Sequence, residues 1–119
     1  MKNISLHIPT LDDYWYEEKL ESDPDTMSYN QGYNVSYYGY HYDSGCIDFP
    51  KERWQEIYNK RKKENRFFSY IKDNDINEFV GYVNYQLNKE ENRYECGIVV
   101  EAKYRNKGYS KPALIILFE

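Results

Sequence analysis

A short β-branched run, Ile98-Val99-Val100, is followed by a turn, a cationic loop with one glycine, and the apolar segment Ala113-Leu114-Ile115-Ile116-Leu117-Phe118. This order constrains the fold more than any other stretch. The run has strand character. The apolar segment has no polar face, so a buried helix is its expected state. Pro112 suits the first turn of that helix, where N–H groups lack intrahelical partners anyway. Between strand and helix stands Arg105-Asn106-Lys107-Gly108-Tyr109-Ser110. Such a junction suits an anion. Unpaired N–H groups of the loop and first turn point outward, and the helix dipole adds partial positive charge. Gly108 lets the backbone approach a ligand without a Cβ in the way. Arg105 and Lys107 can add charge-assisted hydrogen bonds, and successive N–H groups can form a nest.

Upstream, Ile4-Ser5-Leu6-His7-Ile8 alternates apolar and polar and predicts a first strand, ended by Pro9. Thr10 and Asp13 form a T-x-x-D box that opens a helix over about 11–21. Pro24 stops that helix or starts a further turn. Residues 29–46 are rich in Gly, Ser, Asn and Tyr. They predict a long ordered loop whose tyrosines pack on the domain. A base-stacking segment would interleave Arg or Lys, which is lacking here. Asp48-Phe49-Pro50 opens a second helix. There Trp54, Ile57, Tyr58 and Arg61 form one stripe, with Arg61 expected to snorkel at its edge. Lys60-Arg61-Lys62-Lys63 reads as the solvated, dipole-favoured end of that helix. Arg66–Lys72, Phe79–Leu87 and Arg93–Val100 read as three strands joined by polar turns, an antiparallel meander.

The loop carries a family resemblance. Arg105-x-x-Gly108-x-Ser110, five residues after Val100, resembles motif A of the GNAT family of N-acetyltransferases, Gln/Arg-x-x-Gly-x-Gly/Ala. Ser110 departs from the usual Gly or Ala, and Asn106 stands where Gly is common. The run from Glu95 to Val100 looks like the family's fourth strand. Leu20-Glu21-Ser22-Asp23-Pro24-Asp25-Thr26-Met27 looks like a segment common in the branch that acetylates protein N-termini or small amines. The resemblance implies an α+β fold, β-α-α-β-β-β-α, with a mainly antiparallel sheet and helices on its faces. It implies that 1–119 is one GNAT-like domain, without that fold's closing strands and helix. It further implies acetyl-coenzyme A as cosubstrate. Its pyrophosphate would lie on Arg105, Asn106, Lys107, Gly108, Tyr109 and Ser110, and its pantetheine arm along the backbone of Ile98, Val99 and Val100. Glu95 matches a glutamate that acts as general base, through a water, on an amine acceptor; it also reads as an ordinary exposed strand residue. The other class of reading is a non-catalytic module that binds coenzyme A or a protein partner.

Composition narrows the rest. A net charge of −4 argues against a general nucleic-acid binder. No apolar run is long enough to span a membrane, and no signal core follows Met1-Lys2-Asn3, so a cytoplasmic protein is expected. Cys46 and Cys96 form no metal or redox motif, and His7 and His41 are too far apart to suggest a zinc site. An uncovered Arg93–Val100 edge and an uncovered Ile115–Phe118 surface would favour a homodimer.

Overall fold

The computed structural model describes residues 2–34, 38–64 and 66–118. The elements are β1 (Ile4–His7), α1 (Tyr14–Glu21), α2 (Pro24–Met27), α3 (Trp54–Lys63), β2 (Phe67–Asp73), β3 (Glu78–Asn88), β4 (Arg93–Val100) and α4 (Ser110–Leu117). The strands form one antiparallel sheet in the order β1-β2-β3-β4. The expected meander is therefore present. Its two polar turns each place an asparagine in the left-handed region, Asn77 at φ 56° and Asn92 at φ 52°, a conformation that asparagine tolerates. A 3₁₀ turn, Leu11–Asp13, leads into α1. Asp13 accepts the Thr10 N–H at 2.9 Å, so the anticipated box forms.

Successive strand residues point to opposite faces, and the sheet carries a core on each. Ile4, Ile71, Val80 and Val83 pack with Tyr109 and Ala113 on the α4 side. Phe68, Tyr70, Tyr82 and Val99 pack with Tyr16 and Leu20 of α1 on the other. Ile71 pairs with Gly81 but Lys72 with Phe79, which leaves Val80 as an extra residue, a bulge. The bulge puts Phe79 on the same face as Tyr82. Next to it β3 and β4 approach closely. A Cβ on Gly81 would stand 2.1 Å from the Val99 carbonyl oxygen, so glycine is required there.

Three expectations are corrected. Arg61 does not snorkel. Its Nη1 and Nη2 donate to Glu17 Oε1 and Oε2 at 3.0 and 2.6 Å, and Tyr70 Oη donates to the same carboxylate at 3.2 Å. Glu17 is fully buried, and a buried carboxylate needs a cation and its hydrogen bonds satisfied. The guanidinium also lies 4.1 Å from the Phe68 ring centroid. Second, α4 is not buried all round. Pro112 and Ala113 are buried, whereas Ile115 and Phe118 are 44% and 71% exposed. One sheet face can cover only one stripe of a helix. Third, Tyr29, Tyr33, Tyr38 and Tyr42 are each more than half exposed, although the Arg53 guanidinium lies 3.9 Å from the Tyr38 ring centroid. The loop is ordered by the backbone bridge Tyr40–Ile47 and by the half-buried Tyr40, whose Oη donates to the Asn30 carbonyl at 2.6 Å and accepts the Tyr33 N–H at 3.0 Å. Val35, Ser36 and Tyr37 of this loop lie outside the described residues.

Candidate phosphate-binding site

The loop between β4 and α4 begins after a 3₁₀ turn, Ala102–Tyr104. Arg105 is extended, then Asn106 at φ 62° and Gly108 at φ 88° enter the left-handed region. Asn106 thus occupies a position where glycine or asparagine is favoured for backbone reasons. Gly108 is exposed, and nothing lies within 4 Å of where its Cβ would be. Left-handed residues so placed turn backbone N–H groups into a concave nest. Tyr109 precedes α4 with αR geometry and no side-chain cap, and no acidic residue occupies the first turn. The first N–H groups of the helix therefore have no carboxylate competing for them.

The loop forms one wall of a cavity of about 690 Å³. Ile98, Val99, Val100, Arg105, Asn106, Gly108, Tyr109 and Ser110 line it, together with Ser28, Tyr29, Tyr104 and Lys111. The structure therefore brings together eight of the nine residues anticipated for the cofactor. Lys107 is exposed and does not line it. Glu101 N donates to Val80 O at 2.8 Å, so odd-numbered residues at this end of β4 direct their backbone toward β3. Ladder alternation then turns the N–H and C=O groups of Ile98 and Val100 to the outer edge. Among the described residues no strand pairs with that edge.

Three side chains do something other than face a ligand. Arg105 donates from Nη1 to the Asp25 carbonyl at 3.0 Å and from Nη2 to the Thr26 carbonyl at 2.6 Å. It latches α2 to the loop. Thr26 reinforces this: its hydroxyl donates to Asp23 at 2.6 Å and accepts the Ala102 N–H at 3.0 Å. The Asp23-Pro24 segment is thus a cap, with Asp23 accepting the Asp25 N–H at 3.1 Å, and a brace for the site. Tyr109 turns inward and donates to Asp73 at 2.6 Å. Burial and that hydrogen bond push the Tyr109 phenol up to about 12. The same bond, helped by the Asp75 and Ile76 N–H groups and opposed by burial, holds Asp73 below the ordinary carboxylate range.

Glu95 lies elsewhere. It is exposed on β4, paired in register with Gln86, and does not line the cavity. It shares a face of the strand with Gly97 and Val99. Five residues separate it from Val100, about 17 Å along the strand. Ser28, Tyr29, Tyr104 and Lys111 were not anticipated. Lys111 had a local signal, a cation in the first turn after the loop. Ser28 and Tyr29 had none, because α2 brings them in from far along the sequence.

A family model for the acetyltransferase (GNAT) family matches residues 11–115. No curated protein sequence matches the chain significantly. Among solved structures, an acetyltransferase of the GNAT family from Bacillus anthracis is 21% identical with a TM-score of 0.64, over 99% of this chain and 62% of that one. A variant of the Vibrio cholerae spermidine N-acetyltransferase is 17% identical with a TM-score of 0.63, over 93% of this chain and 58% of that one. An acetyltransferase from Trypanosoma brucei is 13% identical with a TM-score of 0.59, over 98% and 72%. The chain thus spans 58% and 62% of the length of the first two. These likenesses carry the fold, and the family match spans most of the sequence: the chain belongs to the acetyltransferase (GNAT) family.

Proposed function

We propose that this chain binds acetyl-coenzyme A and serves the transfer of its acetyl group to an amine, a small molecule or a protein N-terminus. One observation carries the reading: a nest built by Asn106 and Gly108 opens beside the outward backbone of Ile98 and Val100 in a single cavity. The cavity volume falls within the range of small-molecule sites, about 300–1,000 Å³. The nest and the uncapped first turn of α4 suit a pyrophosphate, with Lys111 adding charge. The outward N–H and C=O groups of Ile98 and Val100 can pair with the amides of a pantetheine arm as a neighbouring strand would.

Acetyl-coenzyme A supplies the thioester. The amine nitrogen attacks the carbonyl carbon, the C–S bond breaks, and sulfur leaves with the electron pair. Val100 N–H is placed to stabilise charge on the carbonyl oxygen. Glu95 stands outside the cavity, about 17 Å along the strand from Val100, so as the base it accepts the amine proton only through a chain of several waters. The loop holds the cofactor tail equally in ground and transition states, so it contributes affinity rather than rate. The acceptor is an amine, on a small molecule or a protein N-terminus; the Vibrio cholerae neighbour's named substrate, spermidine, belongs in the first panel. We propose that the chain also self-associates. β4 has an unpaired outer edge among the described residues, and Ile115 and Phe118 are exposed beside α4.

Calorimetric titration with coenzyme A tests the reading. Micromolar binding is expected, lost in Gly108→Asp, which puts a carboxylate against the pyrophosphate. Equal binding by parent and variant would exclude the loop. Turnover that falls in Glu95→Gln with unchanged cofactor affinity assigns the base; binding without turnover on any amine favours the non-catalytic module. Sedimentation at tens of micromolar decides the assembly, and a clean monomer would exclude it.

A further inference from the structure

A second and larger cavity, about 1030 Å³, lies at the opposite end of the sheet. Tyr94, at the start of β4, lines it, whereas Val100 lines the first. Six strand residues separate the two, about 20 Å. Its walls are the end of α3, the start of β2 and the β3–β4 hairpin. Among the described residues five cations line it, Arg61, Lys62, Lys63, Arg66 and Lys89, against one carboxylate, Glu64. Arg61 is committed to Glu17. Among the described residues no ion pair within 4 Å joins the other four to a carboxylate. Among the described residues nothing hydrogen-bonds the buried Arg66 Nε. A buried donor left in this way costs free energy unless a ligand satisfies it.

The floor beside these cations is aromatic. Phe67 and Tyr85 stack at 4.8 Å with their planes 14° apart, and Tyr94 meets Tyr85 edge-on at 5.7 Å. Tyr94 is 70% exposed, so a ring face is open to a planar guest. In a protein of net charge −4, a concentration of cations around open aromatic rings stands out against the overall balance.

We propose that this cavity is a second anion site that takes a nucleotide with two or more phosphates. The base stacks on Tyr94, and the phosphates lie among Lys62, Lys63, Arg66 and Lys89. Aromatic stacking accepts any base because every base has a π-face, so the site selects for phosphate number rather than base identity. The cations act as charge-assisted donors. The site is independent of the coenzyme A reading, since it shares no residue with the first cavity.

The test is calorimetric titration of the full chain with ATP at low salt, in a Gly108→Asp background that silences the first cavity. Saturable binding at one site is expected there. Lys62→Glu with Lys89→Glu, both exposed residues, should weaken it by about tenfold or more. Tyr94→Ala should weaken it by about five- to tenfold. Inorganic tripolyphosphate should bind less tightly than ATP by a similar factor. Circular dichroism of each variant must match the parent, and Lys62→Gln with Lys89→Gln repeats the charge test more gently if the reversal unfolds. No ATP binding at millimolar concentration in the Gly108→Asp background overturns the proposal. So does binding that survives both charge variants. Equal affinity for tripolyphosphate overturns the nucleotide assignment, and tighter binding of a single-stranded oligonucleotide than of ATP overturns the small-molecule one.

Discussion

Arg105 and Arg61 make the same kind of fork, two N–H groups on two oxygens, in opposite settings. Arg105 is exposed and holds the carbonyls of Asp25 and Thr26, so it fixes the backbone of the loop. Arg61 is largely buried and holds the Glu17 carboxylate against Tyr70, so it fixes the packing of α1, α3 and β2. One region is built from backbone geometry, with φ values above zero at Asn106 and Gly108. The other is built from side chains that meet across 44 residues of sequence. The first leaves its N–H groups for a ligand. The second uses its polar groups on one another. The two regions should therefore fail differently: the buried one by unfolding, the loop by losing a ligand while the fold survives.

The largest expected effect comes from the buried fork. Arg61→Ala leaves Glu17 without its cation, and removing one partner of such a pair costs about 3–5 kcal/mol. Urea unfolding should show a midpoint far below the parent's, or no folded baseline. Arg61→Met with Glu17→Met in one chain should recover much of the loss, because a packed apolar pair replaces the ions. A parent-like midpoint in Arg61→Ala would show that the fork is not a keystone.

Two glycines sharpen the contrast next. Gly81→Ala pushes a Cβ against the Val99 carbonyl, 2.1 Å from its oxygen. Overpacking of this kind costs about 1–3 kcal/mol and more where backbone is the obstacle. Gly108→Ala meets no atom and carries only the left-handed penalty, about 1–2 kcal/mol. Thermal unfolding of both, with coenzyme A titrated into each, should separate them. Gly81→Ala should lose the fold before the ligand, and Gly108→Ala the ligand before the fold. Arg105→Ala follows at about 1 kcal/mol, because its hydrogen bonds are charged but exposed. Its greater effect should be on the order of the loop, read as weaker cofactor binding.

This difference also explains what could be read from the sequence. The strand, loop and helix of 95–110 were legible because their signals are local. Ile98-Val99-Val100 is a β-branched run, and Gly108 sits where the chain must turn left-handed. The three strands and their order followed from alternation and polar turns. What was not legible lies in contacts between distant residues. Nothing near Arg61 announces a buried partner on α1, so Arg61 read as snorkelling at the edge of a core-facing stripe. Nothing near Tyr109 announces Asp73, 36 residues earlier, so an inward anchor read as a loop residue. Ile115 and Phe118 show a related limit: an apolar sequence states that a helix can be buried, not how many of its sides the fold will cover, so a buried helix and a bare Ile115–Phe118 surface were both readable from it.

The smallest effect concerns Glu21, one turn beyond Glu17 on the same helix and buried beside it. Burial raises its carboxyl well above the ordinary value, the Glu17 charge raises it further, and Arg61 and Arg66 oppose the shift without cancelling it. The consequence for stability has a definite sign. Below the unfolded value, near 4.5, Glu21 is protonated in both states and nothing is lost. As pH rises through that value the unfolded chain ionises first, so stability falls, and it goes on falling until the raised folded value is passed. Glu21→Gln removes the titration and keeps the shape. It should therefore melt higher than the parent at neutral pH, and the two melting points should converge as pH drops below about 4.5. The Asp73–Tyr109 bond works the other way. Its stabilisation is complete above the ordinary aspartate value of 3.8 and fades as pH falls through the lower folded one. Measurement below pH 4 should therefore pair Glu21→Gln with Tyr109→Phe to keep the two apart. If Glu21→Gln melts below the parent at neutral pH, the carboxylate of Glu21 is ionised and held by Arg61 and Arg66, and the buried cluster has two working acids rather than one.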